Sequence, residues 1–200
     1  MIKRSTDGKR HRMGIPYINQ ELSSILAAVE AETGDHTLAQ SIYFSPTALT
    51  HVKRLLEQGG TIVTDTTLIA NDIDKTLLGG KGASVCCYID DPQVDMLAEQ
   101  RRITRAEVAM DYGLAITGLK LMVIGSAPAA IHRLISRRQH EPMSDVCVLA
   151  APSGFASVVQ LKERLLESNI ASIIVRGKKG GVVATAAIMN AILREINKNN

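Results

Sequence analysis

The sequence contains few aromatic residues and no long apolar run. Phe, Tyr and Trp together make up 3% of its 200 residues, and Trp is absent. So few rings predict an aliphatic core and argue against a stacking surface for single-stranded nucleic acid. No stretch approaches the roughly 18 apolar residues that a membrane span needs, and no apolar signal segment follows the N-terminus. We therefore predict a cytoplasmic protein with no nucleic-acid partner and no membrane partner.

Cysteines are also scarce, and their positions do not resemble those of metal ligands. Cys86, Cys87 and Cys147 lie in apolar runs, SVCCYI and DVCVLA, and no CxxC spacing occurs. This pattern predicts reduced, buried thiols rather than a metal site. HExxH and EF-hand patterns are missing as well, so the sequence predicts no metal site built by the protein.

The net charge of +3 is concentrated at the N-terminus. Residues 1–12 contribute +4, and the rest of the chain has a balance of −1. Two interpretations are open: a basic arm that binds an anion or a nucleic acid, or a solvated leader. We predict that residues 1–15 form a basic, flexible leader and that residues 16–200 form a single domain.

Five short runs are apolar on both alternating faces, as buried parallel strands must be. They are Thr61–Thr64, Ser84–Ile89, Leu121–Ile124, Val146–Leu149 and Ser172–Val175. Helical patterns precede, separate and follow them, at Gln20–Glu32, Pro46–Gln58, Asp65–Leu78, Pro92–Thr117 (two helices), Ala127–Arg138, Ala156–Ser168 and Val182–Asn197. The alternation predicts an α/β fold, a doubly wound parallel five-stranded sheet with helices on both faces. Ligands of such sheets bind beyond the carboxyl ends of the strands.

A glycine-rich turn follows the last predicted strand and leads into a helix. Arg176–Gly181 (RGKKGG) contains three glycines and three cations. Glycines let a ligand approach the backbone, and the first amides of a helix attract anions. The turn matches neither GxxxxGK[ST] nor GxGxxG. It therefore predicts a carboxylate or phosphate site, with a plain turn as the alternative.

Three other loops at strand ends carry polar groups. Ser126 can cap the helix that starts in VIGSAPAAIHRLI, or its turn can bind an anion. Asp65 and its neighbours can cap a helix or contact a substrate. The segment TRAE at Thr104–Glu107 has the form of a capping box, which leaves Arg105 free for an anion.

Taken together, these loops resemble those of the precorrin-8X methylmutase (precorrin isomerase) family. The motifs SIYFSPTAL, GGTIVTDTTLIANDI, CYIDDPQV, TRAEVAMDYG, VIGSAPAAIHRLI, PSGFASVVQLKERL and VRGKKGGVVATAAIMNAI occur in the family's order and spacing. The resemblance covers about Thr33 to Ile196.

The resemblance implies a Rossmann-like sheet, a homodimer and a cleft for a tetrapyrrole (precorrin) ligand. It also implies an isomerase of cobalamin (corrin) biosynthesis that moves a methyl group between neighbouring ring carbons and consumes no cofactor. A substrate with many carboxylates needs several anion sites. The residues that we expect to contact it are Thr64, Asp65, Arg105, Ser126, Arg176, Gly177, Lys178, Gly180 and Gly181.

The chain departs from the family at the position of its catalytic histidine. In the pattern R-x-x-H-x-T-G-D, aligned on Thr33-Gly34-Asp35, the histidine position is Ala31 and the arginine position is Ala28. Three hypotheses follow. The chain is a working methylmutase in which His36 replaces the histidine, or a non-catalytic corrinoid-binding relative, or a protein that keeps only the fold and binds a nucleotide-like ligand.

Overall fold

A computed structural model of the chain describes residues 20–198, so the predicted leader lies outside the described residues. The strands are β1 (Ile42–Phe44), β2 (Thr61–Thr64), β3 (Ser84–Cys87), β4 (Lys120–Ile124), β5 (Val146–Ala150) and β6 (Ala171–Val175). The α-helices are α1 (Gln20–Thr33), α2 (His36–Gln40), α3 (Ala48–Gln58), α4 (Thr67–Asp72), α5 (Pro92–Arg101), α6 (Arg105–Ala115), α7 (Pro128–Arg138), α8 (Ala156–Glu167) and α9 (Val182–Lys198). A 3₁₀ helix spans Lys75–Leu78.

The strands form one mixed sheet in the order β1-β6-β5-β4-β2-β3. The five predicted strands are all present and pair in parallel, as β2 to β6. The prediction of a purely parallel, five-stranded sheet was wrong, because β1 adds an antiparallel edge strand beside β6. A strand of three residues is too short to show a period of two, so the sequence pattern did not reveal it.

One of the predicted helical segments differs in the structure. The segment predicted as one helix at Asp65–Leu78 is broken after α4, where Asp74 caps the 3₁₀ helix. The amide of Asp74 is held by Asn190 Oδ1 of α9 at 2.9 Å, so a distant helix determines the break. The short helix α2 was not predicted. The predicted capping box at Thr104 is confirmed, since Thr104 and Glu107 each accept the other's backbone amide.

Helices cover both faces of the sheet, as predicted. On one face α1, α3, α4 and α9 pack against apolar side chains of the strands, such as Ile62, Leu121 and Ile173. On the other face α6, α7 and α8 pack against the alternate residues, such as Val63, Met122 and Ile174. None of the helices in residues 20–198 is long and apolar enough to cross a membrane.

The connections leave the sheet on opposite faces at the boundary between β2 and β4. The helix after β2, α4, packs on one face, and the helix after β4, α7, packs on the other. In open α/β sheets such a point opens a crevice at the carboxyl ends of the strands, where ligands commonly bind. The strand ends there are Thr64 and Ile124.

The helix α3 carries a buried histidine that contacts the sheet. His51 is buried, and its Nε2–H donates to the carbonyl of Lys120 at 3.0 Å. Burial lowers the pKa of His51 below its ordinary value of 6.5, although the hydrogen bond opposes that shift. The folded protein therefore holds this imidazole neutral under conditions where the unfolded chain binds a proton.

We predict that the protein loses stability as the pH falls below 6.5, because the unfolded state then protonates His51 before the folded state does. The substitution His51→Gln should reduce this slope in denaturant-unfolding measurements from about pH 7 to about pH 5. The exposed His132 provides the control, and His132→Gln should leave the slope as in the native chain. Equal slopes in all three proteins would contradict the prediction.

Candidate functional site

The crevice between β2 and β4 is occupied by a side chain of the protein itself. Asp65 is 1% exposed, and its carboxylate accepts three backbone N–H groups. Gly125 donates to Oδ1 at 3.2 Å, while Ser126 and Ala127 donate to Oδ2 at 2.8 and 2.7 Å. Burial raises the pKa of Asp65, and the three amide hydrogen bonds pull it the other way. The carboxylate therefore takes the place that an anionic ligand has in other sheets of this kind.

This arrangement changes the interpretation of the Ser126 turn. The helix α7 begins after Ala127, and no side chain caps it, so the prediction that Ser126 caps this helix was wrong. The amides of the turn are already bound to Asp65, and the Ser126 side chain is exposed. Thr64 is fully buried and donates to the carbonyl of Thr66 at 3.0 Å. The roles of Thr64, Asp65 and Ser126 as substrate contacts stay predictions.

Arg105 is engaged rather than free, which corrects the sequence interpretation. Its guanidinium donates to the carbonyl of Ile89 at 3.1 Å, and it pairs with Asp90 at 3.2 Å and with Asp95 at 2.7 Å. These partners belong to the loop after β3 and to α5. A substrate carboxylate would have to replace them, so Arg105 as a substrate contact stays a prediction.

The glycine-rich turn after β6 has its arginine directed to a neighbouring helix. Arg176 forms a bidentate pair with Glu163 of α8, at 3.0 and 2.9 Å. Gly177, Gly180 and Gly181 all have positive φ values, which glycine adopts at low cost. The turn is therefore shaped by its glycines, while Lys178 remains exposed on its outer side.

The glycine-rich turn packs closely against the loop that follows β5. Gly181 N–H donates to the carbonyl of Ala151 at 2.7 Å, and Gly154 N–H donates to the carbonyl of Lys178 at 3.0 Å. A Cβ at Gly180 would lie 1.9 Å from the oxygen of Ala151, so no other residue fits there. These contacts join the ends of β5 and β6 into one surface.

A cleft of about 350 Å³ opens on this surface. Its walls come from the corner between α1 and α2, from the loop after β5 and from the glycine-rich turn with the start of α9. The lining includes Glu32, Thr33, Asp35, Ser153, Lys179, Gly180 and Val183. Of the residues predicted from the sequence, the structure brings only Gly180 to this lining.

Lys179 spans the cleft between two of its walls. Its ammonium lies 2.7 Å from both oxygens of Asp35 and also contacts the Thr37 hydroxyl. Lys179, together with the amide of Leu38 and the Thr37 hydroxyl, lowers the pKa of Asp35 to about 2. Sequence reasoning named Lys178 and missed this pair, because Asp35 and Lys179 are 144 positions apart. Two adjacent lysines give no signal of which one turns inward.

His36 lies outside the described lining of this cleft. Its Nδ1 is 2.9 Å from Glu30 Oε2, and its Nε2 is 2.7 Å from the amide nitrogen of Gln40. These partners assign Nδ1–H as donor to the carboxylate and Nε2 as acceptor from the amide. The His36 side chain is 59% exposed. Ala31 is exposed as well. His36 as a substitute proton donor stays a prediction.

We predict that Asp65→Asn destabilises the fold by about 1–3 kcal/mol, because the amide group of Asn cannot accept from all three buried backbone donors. Denaturant unfolding at neutral pH provides the measurement. Glu57→Gln, at an exposed position, is the matched control. If Asp65→Asn were as stable as that control, Asp65 would not hold the β2 and β4 loops together.

We predict that Lys179 determines the titration of Asp35. In the native chain the NMR-detected pKa of Asp35 should be about 2, and in Lys179→Met it should rise towards 3.8. A lowered pKa contributes stability above pH 3.8, and this contribution is lost as the pH falls to about 2. Lys178→Met should leave the pKa of Asp35 where it is. A pKa of Asp35 near 3.8 in the native chain would contradict the geometry of the pair.

Comparisons with known proteins give one consistent result. The family model described as "CbiC: Precorrin-8X methylmutase" matches residues 2–195. A cobalt-precorrin-8 methylmutase of Salmonella typhimurium is 34% identical over 176 residues, which are 88% of this chain and 82% of the relative. A protein of the same name from Methanothermobacter thermautotrophicus is 32% identical over 183 residues, which are 88% of this chain and 85% of the relative.

Solved structures agree with the sequence matches. A protein titled "precorrin-8X methylmutase related protein" superposes with a TM-score of 0.82 at 26% identity, covering 90% of this chain and 94% of its own. The precorrin-8X methylmutase of Thermus thermophilus, at 23% identity and a TM-score of 0.77, shares the fold over 90% of this chain and 89% of its own. The chain belongs to the precorrin-8X methylmutase family.

Proposed function

We propose that this protein is an isomerase of cobalamin biosynthesis that moves a methyl group between adjacent ring carbons of precorrin-8X or of its cobalt-containing form. Membership of the family carries this proposal, together with the cleft at the carboxyl ends of β5 and β6. The product would be hydrogenobyrinate or cobyrinate. Because the methyl group stays within the molecule, the reaction needs no external donor or oxidant.

The cleft offers groups that suit a ligand with several carboxylates. Lys179 brings a cation to its edge, and the glycine-rich turn exposes backbone on its floor. The acidic residues of the lining are already paired, Asp35 with Lys179 and Glu32 with Arg194. An incoming carboxylate would therefore compete with Asp35 for the ammonium of Lys179.

Proton donation is the step that this chain must carry out differently from its family. The resemblance implies a histidine at the position of Ala31, and alanine has no proton to give. General acid catalysis typically contributes about 10²–10⁴-fold to a rate. Binding and orientation in the cleft would support a slower reaction, with His36 as the imidazole nearest to position 31 in the sequence.

A second function is favoured by the same two substitutions. Ala28 and Ala31 remove both a cation and an acid from one helix, whereas the loops that contact the cleft are retained. A protein that binds a corrinoid without converting it, as a carrier, chaperone or sensor, would keep the loops and lose the acid.

We also propose a homodimer in the cytoplasm. Two side chains close to the cleft, Phe155 and Val183, are 81% and 75% exposed, which is unusual for large apolar residues and suits a subunit contact. The three cysteines are free, as expected in a reducing compartment, but of the three thiols predicted to be buried only Cys147 is buried, and Cys86 and Cys87 are half-buried.

We predict that Ala31→His raises turnover of precorrin-8X by roughly 10²–10⁴-fold over the native chain, because it restores an imidazole beside the cleft. Absorbance of the product chromophore measures the rate. Ser23→His adds an imidazole to an exposed position of α1 far from the cleft lining and should give no gain. His36→Ala should slow the native reaction if His36 donates the proton, and an unchanged rate would remove His36 from the mechanism.

Titration of hydrogenobyrinate, followed by its visible absorbance, measures binding of the product, and together with the turnover of precorrin-8X it separates the two functions. Binding with turnover in the native chain supports the isomerase. Binding without turnover, together with a gain in Ala31→His, supports the corrinoid-binding relative. The absence of binding at high micromolar concentration would contradict both.

A further inference from the structure

The helix α8 contains a fully buried lysine that has no carboxylate partner among the described residues. Lys162 is 0% exposed. Its ammonium donates to two backbone carbonyls, that of Pro152 at 3.1 Å and that of Lys179 at 3.3 Å. These carbonyls belong to the loop after β5 and to the glycine-rich turn. One buried cation therefore binds backbone groups of both loops.

The carbonyls bound by Lys162 determine where the adjoining amides point. No cis peptide bond occurs in the described chain, and in a trans peptide the N–H points away from the C=O. The amides paired with these carbonyls are those of Ser153 and Gly180, and they face away from Lys162. Ser153 and Gly180 both line the cleft. Within residues 20–198 neither amide has a hydrogen-bond acceptor.

We propose that the backbone N–H groups of Ser153 and Gly180 form a carboxylate-binding subsite in the cleft and that Lys162 is the positioning residue that orients and polarises both peptides from the opposite side. The ligand group is a carboxylate of the tetrapyrrole, so the identity of the ligand rests on the proposed function.

The two peptides are neighbours because their carbonyl oxygens bind the same nitrogen. Two N–H groups side by side suit the two oxygens of a carboxylate. A cation on the carbonyl side strengthens each peptide as a donor, because hydrogen bonds in a chain polarise one another. The ammonium of Lys162 is buried, so dissolved salt screens its charge less than it screens the charge of the exposed Lys179.

The surrounding contacts keep the subsite rigid. Only glycine fits at position 180, because of the carbonyl of Ala151 and because its φ of 138° is one that other residues rarely adopt. Burial lowers the pKa of Lys162 to about 8, so most of the protein carries the charged form at neutral pH. Sequence reasoning missed Lys162, since a lysine in a helix of mixed polarity is normally solvated.

The test is a titration of the ¹⁵N-labelled native chain with sodium acetate, in which the amide signals of Ser153 and Gly180 are followed by NMR. We expect both signals to shift and to saturate with acetate but not with sodium chloride at equal ionic strength. A second titration uses hydrogenobyrinate and the same two signals. If neither amide responds to acetate, the subsite is wrong, whatever the corrinoid does.

The two titrations separate this proposal from the proposed function. Saturation with acetate but no response to hydrogenobyrinate would retain the carboxylate subsite and reject the corrinoid as its ligand. A response of both amides to both compounds supports both proposals. A response to hydrogenobyrinate elsewhere in the cleft, without these amides, would overturn the subsite and leave the function in place.

Lys162→Met and Lys162→Gln test the positioning role. Gln keeps a donor for the carbonyls and loses the charge, whereas Met loses both. We expect acetate affinity at the two amides to fall by at least roughly tenfold in Lys162→Met and by less in Lys162→Gln.

Lys75→Met, which removes an exposed lysine of the 3₁₀ helix, should bind acetate as the native chain does. Native affinity in Lys162→Gln and in any folded Lys162→Met would overturn the role of Lys162. The native titration needs neither variant to fold.

Discussion

The carboxylate of Asp65 joins the ends of β2 and β4 at the point where the following helices leave to opposite faces of the sheet. Parallel sheets of this order open a crevice there, which in many proteins receives a ligand. In this chain three backbone amides that could bind an anion bind Asp65 instead. A cleft lies further along the carboxyl edge, at the ends of β5 and β6.

Three charged side chains connect the loops along that edge of the sheet. Asp65 joins the loops of β2 and β4, Lys162 joins the loops of β5 and β6, and Lys179 joins the glycine-rich turn to Asp35. The first two are buried and act through backbone groups, so they hold the loops in one arrangement. The third is partly exposed and lies in the cleft, where a ligand carboxylate can compete with Asp35. Two buried contacts behind one partly exposed ion pair are consistent with the carboxylate site proposed above.

The departure at position 31 is local to one helix. Ala28 and Ala31 lie on α1, which packs on α9 and buries Ile25 and Val29. The fold accommodates alanine at both positions because alanine favours helix, Ala28 packs against the core and Ala31 is exposed. The exposed position 31 can therefore change without disturbing the packing of α1 on α9.

The sequence by itself determined the five parallel strands, seven of the helices closely enough to place them, the capping box at Thr104 and the family. These features depend on local periodicity and on contiguous motifs, which are readable along the chain. Only the tertiary structure decided the antiparallel strand β1, the occupation of the β2–β4 crevice by Asp65, the inward turn of Lys179 rather than Lys178, and the burial of Lys162. Each of these depends on a partner from another part of the fold, and no local pattern records which groups the fold brings into contact.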